Sequence, residues 1–458
     1  MLLAFWLMSI QAVWAQSLSK EDIQETCNFK EGTISFTIPQ DKIPAGTTCK
    51  WTIKVKADEK ENEKEVTVGK TVSADSRMLT LNLSQDTLKI EVSYTDADNT
   101  TQTVSLDDVE PKVYGKEYNG ENNTKVKFYS EEVFKGKGSK EDPYIISTDL
   151  ELAKLAHDVT NGKSQTMYSG SYFQLSANID LSKGIWMPIG TLNTDNAGFF
   201  GGTFDGDGKT ISNMKIYWTA FDGTTEASWG LFSRLQGKDE NHYATVTNLI
   251  IENASLETQK DKLPTGKGTV KIGVVVSDLV DYAEVSNIII RKSKITDHEE
   301  KYTAANVCRI GGIIGYLDNK NYRIFNLSSD TEINIHKNAS LSQPAKVTVG
   351  GAIGCFANWQ NNKNNIMPTN IYVHGKKMIT NGKKGSTGSV VAFYSLTHQN
   401  TYKTKYGATI KTWFYTSEVG TNTYSDGDIK ETADFGKVFT DINNNFINAN
   451  RVRPCQPR

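Results

Sequence analysis

The chain is short of cysteine, histidine and net charge, and each shortage removes a class of function. Five cysteines in 458 residues, at positions 27, 49, 308, 355 and 455, match no zinc-binding spacing. The six histidines (His157, His242, His298, His336, His374 and His398) form neither a close pair nor a His-Glu-x-x-His run. No metal and no cofactor are therefore expected. A net charge of −2 argues against nucleic acid as a partner, because such proteins carry a basic face. Beyond the first fifteen residues no apolar run is long enough to span a membrane. The Gly-x-Ser-x-Gly elbow of serine hydrolases is missing. Gly69-Lys70-Thr71 and Gly208-Lys209-Thr210 look like the end of a phosphate loop, but Lys64 and Thr203 stand where its first glycine belongs.

What is present begins with Met1 to Ala15, a short apolar segment ending in Val13-Trp14-Ala15. Its length and small-x-small end read as a secretory signal peptide, although Lys20 is the first basic residue. The expected protein is secreted or sits on the exterior of the outer membrane. Residues 16–112 contain short runs in which apolar and polar residues alternate, such as Lys50-Trp51-Thr52-Ile53-Lys54-Val55 and Leu88-Lys89-Ile90-Glu91-Val92. Period two marks half-buried strands, and this stretch predicts an immunoglobulin-like β-sandwich. Cys27 and Cys49 either form a disulfide inside it or are two small core residues. Residues 113–130 are polar, with Gly115 and Gly120, and read as a linker.

From residue 131 to 430 the chain repeats. Gly230, Gly273, Gly311, Gly350 and Gly388 each open an apolar run, spaced 43, 38, 39 and 38 residues apart. A second series, Asn213, Asn248, Asn287, Asn326 and Asn370, precedes apolar residues at steps of 35, 39, 39 and 44. Two series in phase predict a solenoid of parallel strands, one coil per repeat. Glycine lets the backbone bend or approach a neighbour. Asparagine tolerates left-handed angles at a corner and can bond to the amide one coil away. Three short strands do not use up a coil of this length, so the surplus leaves as loops, the expected carriers of function. An array also needs ends. Thr148 and Glu151 have capping-box spacing before an apolar stripe of Leu152, Leu155, Ala156 and Val159. Residues 431–450 place Phe435, Val438, Phe439, Ile442 and Phe446 at helical spacing, predicting a closing helix before a tail at 451–458.

Residues 134 to about 448 resemble bacterial surface proteins with GLUG-type repeats, common among Bacteroidetes. The likeness rests on Asp142-Pro143-Tyr144-Ile145-Ile146 and the helix after it, and on Trp186-Met187-Pro188-Ile189-Gly190. Gly202-Thr203-Phe204-Asp205-Gly206-Asp207-Gly208 and the Gly-Leu-Phe and Gly-Gly-Ile-Ile-Gly runs complete it. The later repeats depart from the pattern by losing second-half glycines. The resemblance implies a right-handed parallel β-helix on an exported, adhesin-like protein, and it brings no catalytic residues.

Parallel β-helices also host polysaccharide lyases and glycoside hydrolases, which makes a glycan-degrading enzyme the alternative. Glycosidases need two carboxylates across the scissile bond. Asp180, Asp205 and Asp207 are the acidic candidates, against which Asp-Gly-Asp-Gly is also good turn chemistry. For binding, Trp359, Trp218 and Tyr322 are the expected aromatic contacts, with core packing the competing role. The leading expectation is a non-enzymatic, monomeric surface protein whose loops bind an extracellular glycan or surface protein.

Overall fold

A computed structural model describes residues 18–28, 33–39, 42, 49–55, 66–71, 78–82, 88–95, 99–109, 113–119, 125–161, 168–191, 198–217, 226–257, 269–297, 307–317, 321–335, 347–357, 368–374, 378–379, 386–388, 390–393, 413–415 and 430–431. The export segment, Trp218, Trp359, residues 432–450 of the expected closing helix and the tail lie outside these residues. The chain divides into two units: Met1–Pro111 with Asn119–Thr124, and Lys112–Tyr118 with Lys125–Arg458.

The first unit consists of two antiparallel sheets. Its strands are β1 (Gln24–Asn28), β2 (Thr33–Thr37), β3 (Lys50–Val55), β4 (Val66–Thr71), β5 (Met78–Asn82), β6 (Leu88–Thr95) and β7 (Thr101–Val109). They pair in the orders β1-β2-β5 and β4-β3-β6-β7. Alternation decides which side chains turn inward. On β6, Ile90, Val92 and Tyr94 are buried while Lys89, Glu91 and Ser93 are partly open. Phe36 and Leu79 from the smaller sheet join Trp51, Ile90 and Val92 from the larger in one core. Cys49 is buried in that core, and the side chain of Cys27 on β1 lies outside the described residues.

The second unit corrects the linker reading. Val113 bridges Ile185 and Tyr114 is buried, stacked on Phe128 with ring centroids 4.3 Å apart. Lys112–Tyr118 and the residues from Lys125 onward thus belong to this unit, while Asn119–Thr124 group with the first. The short pair β8 (Glu117–Asn119) and β9 (Lys125–Lys127) follows, then β10 (Tyr144–Ile146) and α1 (Asp149–Asn161). The capping box forms. Glu151 Oε2 accepts from the Ser147 and Thr148 amides, and Thr148 Oγ1 accepts from the Glu151 amide. The buried stripe is Leu152, Ala153, Leu155, Ala156 and Val159. It packs where Thr160 Oγ1 receives the Gly190 amide at 3.2 Å, against the first coil.

The remaining strands wind as coils. β11 (Tyr172–Leu175), β12 (Ile179–Asp180), β13 (Thr203–Asp205) and β14 (Thr210–Ser212) begin the array. One coil holds β15 (Lys215–Tyr217), β16 (Glu226–Trp229), β17 (Phe232–Leu235) and β18 (Ala244–Glu252). The next holds β19 (Ser255–Glu257), β20 (Thr269–Gly273), β21 (Val276–Leu279) and β22 (Ala283–Arg291). A third holds β23 (Lys294–Asp297), β24 (Val307–Gly311), β25 (Ile314–Leu317) and β26 (Tyr322–Ser329). A fourth holds β27 (Glu332–Ile335), β28 (Val347–Gly350), β29 (Ile353–Phe356) and β30 (Thr369–Val373). β31 (Met378–Ile379), β32 (Ser386–Gly388), β33 (Val391–Phe393), β34 (Trp413–Tyr415) and β35 (Lys430–Glu431) continue the stacks.

Each strand pairs in parallel with its equivalent one coil on, giving four stacked sheets. The long one runs β10-β11-β13-β18-β22-β26-β30-β34-β35, and the others are β15-β19-β23-β27-β31, β16-β20-β24-β28-β32 and β17-β21-β25-β29-β33. This is a parallel β-helix with four strands per coil, one more than the spacing predicts. The extra strand arises at the glycines. Gly273, Gly311, Gly350 and Gly388 are register partners at the ends of β20, β24, β28 and β32. Immediately after them the backbone bends, and a Cβ on Gly311 would lie 1.9 Å from the Ile314 carbonyl oxygen and 2.5 Å from the Gly354 amide nitrogen. That bend splits one arm of the coil into two short strands. Between the sheets, equal residues stack on equal residues: Val246 on Val285, Ile251 on Ile290.

Four of the five asparagines of the series occupy the opposite corner. Asn213, expected as its first member, aligns instead with Asn253 at another corner, and Asp205 stands at the head of the column. Asn248, Asn287, Asn326 and Asn370 all have φ between 53° and 56°. Each side-chain amide donates to the asparagine one coil earlier: Asn370 to Asn326 at 2.7 Å, Asn326 to Asn287 at 2.9 Å and Asn287 to Asn248 at 3.1 Å. Asn248 then donates to Asp205 Oδ1 at 3.1 Å. A second, shorter ladder runs Asn253 to Asn213 at 2.6 Å and Asn213 to Asp180 at 2.8 Å. Both therefore start on a carboxylate, which accepts and has no hydrogen to donate. Asn287→Ala loses a donor and an acceptor and leaves a Cβ-bearing residue in the left-handed region. It is expected to destabilise the solenoid by about 2 kcal/mol. Urea unfolding checks this, and Asn287→Gly should recover only the backbone share.

Candidate functional site

The long sheet presents one face outward before the asparagine corner, and the register fixes its rows. One row is Tyr172, Thr203, Thr245, Glu284 and Arg323, across β11, β13, β18, β22 and β26. Beside it run Gln174, Asp205, Thr247, Ser286, Phe325 and Thr369. One position ahead of the Ala244–Ala283–Tyr322 row stand Tyr243, Tyr282 and Asn321. Alternation places all of these opposite the core residues Val246, Val285 and Ile324.

Four of these side chains converge. The Arg323 guanidinium lies over the Tyr243 ring, 4.1 Å from its centroid, and is 46% exposed. Its Nη1 is 3.7 Å from Glu284 Oε2, while Ser286 Oγ donates to Glu284 Oε1 at 2.9 Å. Tyr243 meets Tyr282 edge-to-face, centroids 5.8 Å apart at 90°. Thr247 Oγ1 and Ser286 Oγ are 2.9 Å apart and continue the hydroxyl row. Burial pushes the Glu284 carboxyl above its ordinary value, against the opposing pull of Ser286 and Arg323. Burial likewise raises the Tyr243 phenol, with Arg323 opposing.

Tyr282 adopts φ +54°. A bulky side chain rarely sits there, and the conformation costs about 1 kcal/mol. The turn is held from outside: the Gly237 amide donates to the Asp281 carbonyl at 2.9 Å, and the Ala244 amide to the Tyr282 carbonyl at 2.9 Å. The face thus combines two aromatic rings, a stacked guanidinium, a loosely paired carboxylate and a run of hydroxyls. Such groups can stack on a sugar ring and exchange hydrogen bonds with its hydroxyls.

The residues singled out from sequence fare differently. Tyr322 is 2% exposed, edge-to-face with Phe356 at 5.9 Å, so it is a core residue and not a contact. Tyr322 aligns with Ala283 in the inward row, one position past the tyrosine row. Trp218 and Trp359 lie outside the described residues. The acidic candidates are engaged in structure. Asp205 Oδ1 accepts from the Asp207 amide at 2.9 Å as well as from Asn248, and Asp180 accepts from Asn213 and the Ser182 amide. Burial raises the Asp180 carboxyl, but these bonds and Lys183 outweigh it and hold it below its ordinary value. Among the described residues no group of three or more His, Cys, Asp or Glu side chains could hold a metal ion.

A second charged cluster lies between two other sheets. Asp278 on β21 is 2% exposed, and its Oδ2 takes Arg234 Nη2 at 2.9 Å, Arg234 Nε at 3.1 Å and Lys271 Nζ at 3.0 Å. Lys271 also lies over the Tyr316 ring at 4.7 Å. Asp278 and Arg234 are register partners, as are Asp278 and Tyr316, so the cluster ties three coils together.

No family model matches the chain. A partial likeness exists to Halomucin of Haloquadratum walsbyi, 34% identical over 160 residues. It covers 32% of this chain and 2% of Halomucin's length. A solved structure of pectate lyase Pel3 from Pectobacterium carotovorum aligns over 80% of this chain and 87% of its own, at 10% identity and a TM-score of 0.23. At that score the likeness carries no argument. Among the described residues no helix is long and apolar enough to cross a membrane.

Proposed function

We propose that this is an exported cell-surface protein that binds glycan, without cleaving it, on the outer face of its long parallel sheet. The observation that carries the reading is the meeting of Tyr243, Tyr282, Glu284 and Arg323 on that face. The solenoid supplies rigid, evenly spaced rows, and the face needs no moving part to present them. The strand orders of the first unit, with Trp51 buried on its third strand, support an immunoglobulin-like sandwich acting as a spacer or attachment module. The GLUG-type resemblance supports surface display, and parallel crossovers favour a right-handed solenoid.

The second reading, a polysaccharide-degrading enzyme, is favoured by one observation. Glu284 is held toward its protonated form, as a general acid would be. The other carboxylate of the rows, Asp205, stands two strands away on β13 and already accepts two structural bonds. A glycan array on the full chain, with chromatography of the supernatant, separates the readings. Retention of glycan without shortened products is expected. Released oligosaccharide would establish the enzyme instead.

A further inference from the structure

The chemistry of the four-residue platform narrows its ligand. This step rests on the glycan-binding reading above. Arg323 is not presented as an open cation, because Tyr243 covers one of its faces and Glu284 faces its Nη1. Two carboxylates, Glu284 and Asp205, stand in the two central rows, so an anionic sugar would meet repulsion beside any attraction to Arg323. Most of the other residues in the rows carry a hydroxyl, an amide or a ring: Tyr172, Gln174, Thr203, Thr245 and Thr247, while Ser286 is buried and holds Glu284 from behind. A carboxylate beside a guanidinium offers acceptor and donors side by side, and a vicinal diol matches both, since each hydroxyl donates and accepts.

The rows also have a direction. Equivalent side chains repeat at the spacing of neighbouring strands, about 4.8 Å, along the stack of coils. A polymer lying across the strands meets Thr245, Glu284 and Arg323 on successive coils of one row, with Tyr243 and Tyr282 beside the first two. Tyr282 adds an independent indication. Its side chain sits in a backbone conformation that disfavours it, at a turn where asparagine or glycine would be at ease. Strain retained at a half-buried aromatic position on the outer face points to a use for that ring.

We propose that the platform binds a neutral, diol-bearing polysaccharide laid along the solenoid axis, with Tyr282 as a stacking ring and the Glu284–Arg323 pair as its hydroxyl clamp. Calorimetry on the full chain should compare manno-, xylo- and gluco-oligosaccharides of two to six units with polygalacturonate and sulfated dextran. Neutral oligosaccharides are expected to bind, more tightly with each added unit. Tyr282→Asn is expected to weaken them about tenfold while leaving the melting temperature unchanged or raised. A merely structural tyrosine would give the opposite pair of results. Arg323→Lys, which keeps the charge and loses the planar fork, is expected to weaken neutral ligands as much as Arg323→Ala. Preference for polygalacturonate or sulfated dextran, with Arg323→Lys retaining it, would overturn the neutral assignment and leave the glycan-binding face standing. Neutral binding indifferent to Tyr282→Asn and Arg323→Ala would overturn the assignment of these residues. Binding of none of these carbohydrates would remove both this inference and the reading beneath it.

Discussion

Gly311→Ala is expected to unfold the middle of the solenoid, lowering stability by about 4 kcal/mol or more. The reason is backbone, not packing. The added Cβ would lie 1.9 Å from the Ile314 carbonyl oxygen, 2.5 Å from the Gly354 amide nitrogen and 2.8 Å from the Ala352 carbonyl oxygen. Two of those atoms belong to the following coil, so relief requires separating coils that share parallel ladders on both sides of the bend. A flexible side chain could step aside; a ladder cannot. Gly170 provides the control. Its φ is +76°, yet nothing stands within 4 Å of a Cβ there, so Gly170→Ala is expected to cost only about 1 kcal/mol. Urea unfolding followed by far-ultraviolet circular dichroism, together with amide exchange of β24 and β28, distinguishes the two.

Asp278→Ala is expected to cost about 3–5 kcal/mol, the range for breaking a buried ion pair from one side. The substitution leaves Arg234 on the adjacent strand β17 and Lys271 on β20 of the neighbouring sheet without their shared carboxylate. Two partly buried cations then remain across the junction of adjacent coils. The triple variant Asp278→Leu with Arg234→Met and Lys271→Met should regain most of the loss, because an apolar cluster of similar volume carries no desolvation penalty. Chemical denaturation of the single and triple variants at low and high salt checks this. Equal stabilities for Asp278→Ala and the parent would show that the carboxylate contributes nothing to coil stacking.

Much of the scaffold was legible from residue types alone. Glycine and asparagine are the two residues that relax backbone constraints, so their recurrence marks the bend and the corner of each coil. The α1 cap was legible for the same local reason, since Thr148 and Glu151 form a box within four residues. The number of strands was not, because a bend that splits an arm depends on carbonyls from the next coil, which no local pattern shows. The platform was harder still. Tyr243-Ala244-Thr245 and Tyr282-Ala283-Glu284 carry the signal at equal offset, but the third coil breaks it. There the tyrosine moves one place, to Tyr322, and a single step along a strand turns a side chain from solvent to core. The expected aromatic contacts, Trp218, Trp359 and Tyr322, do not include Tyr243 and Tyr282, the two rings that meet on the outer face. Reading outward rows across coils, in place of runs along the chain, would have placed Glu284 beside Arg323.

The asparagine ladders give the solenoid a one-way grammar. In the longer ladder every interior junction is asparagine donating to asparagine, so a whole coil can be duplicated or removed there without altering the chemistry of that column. The first rung cannot be copied inward. Asp205 and Asp180 accept and cannot pass a donor onward, so a second aspartate within the column would meet the carboxylate before it with no hydrogen between them. Lineages of this fold are therefore free to vary in length through their middle coils while keeping one opening coil, and chimeras joined at Asn248 or Asn287 should fold where those joined at Asp205 should not.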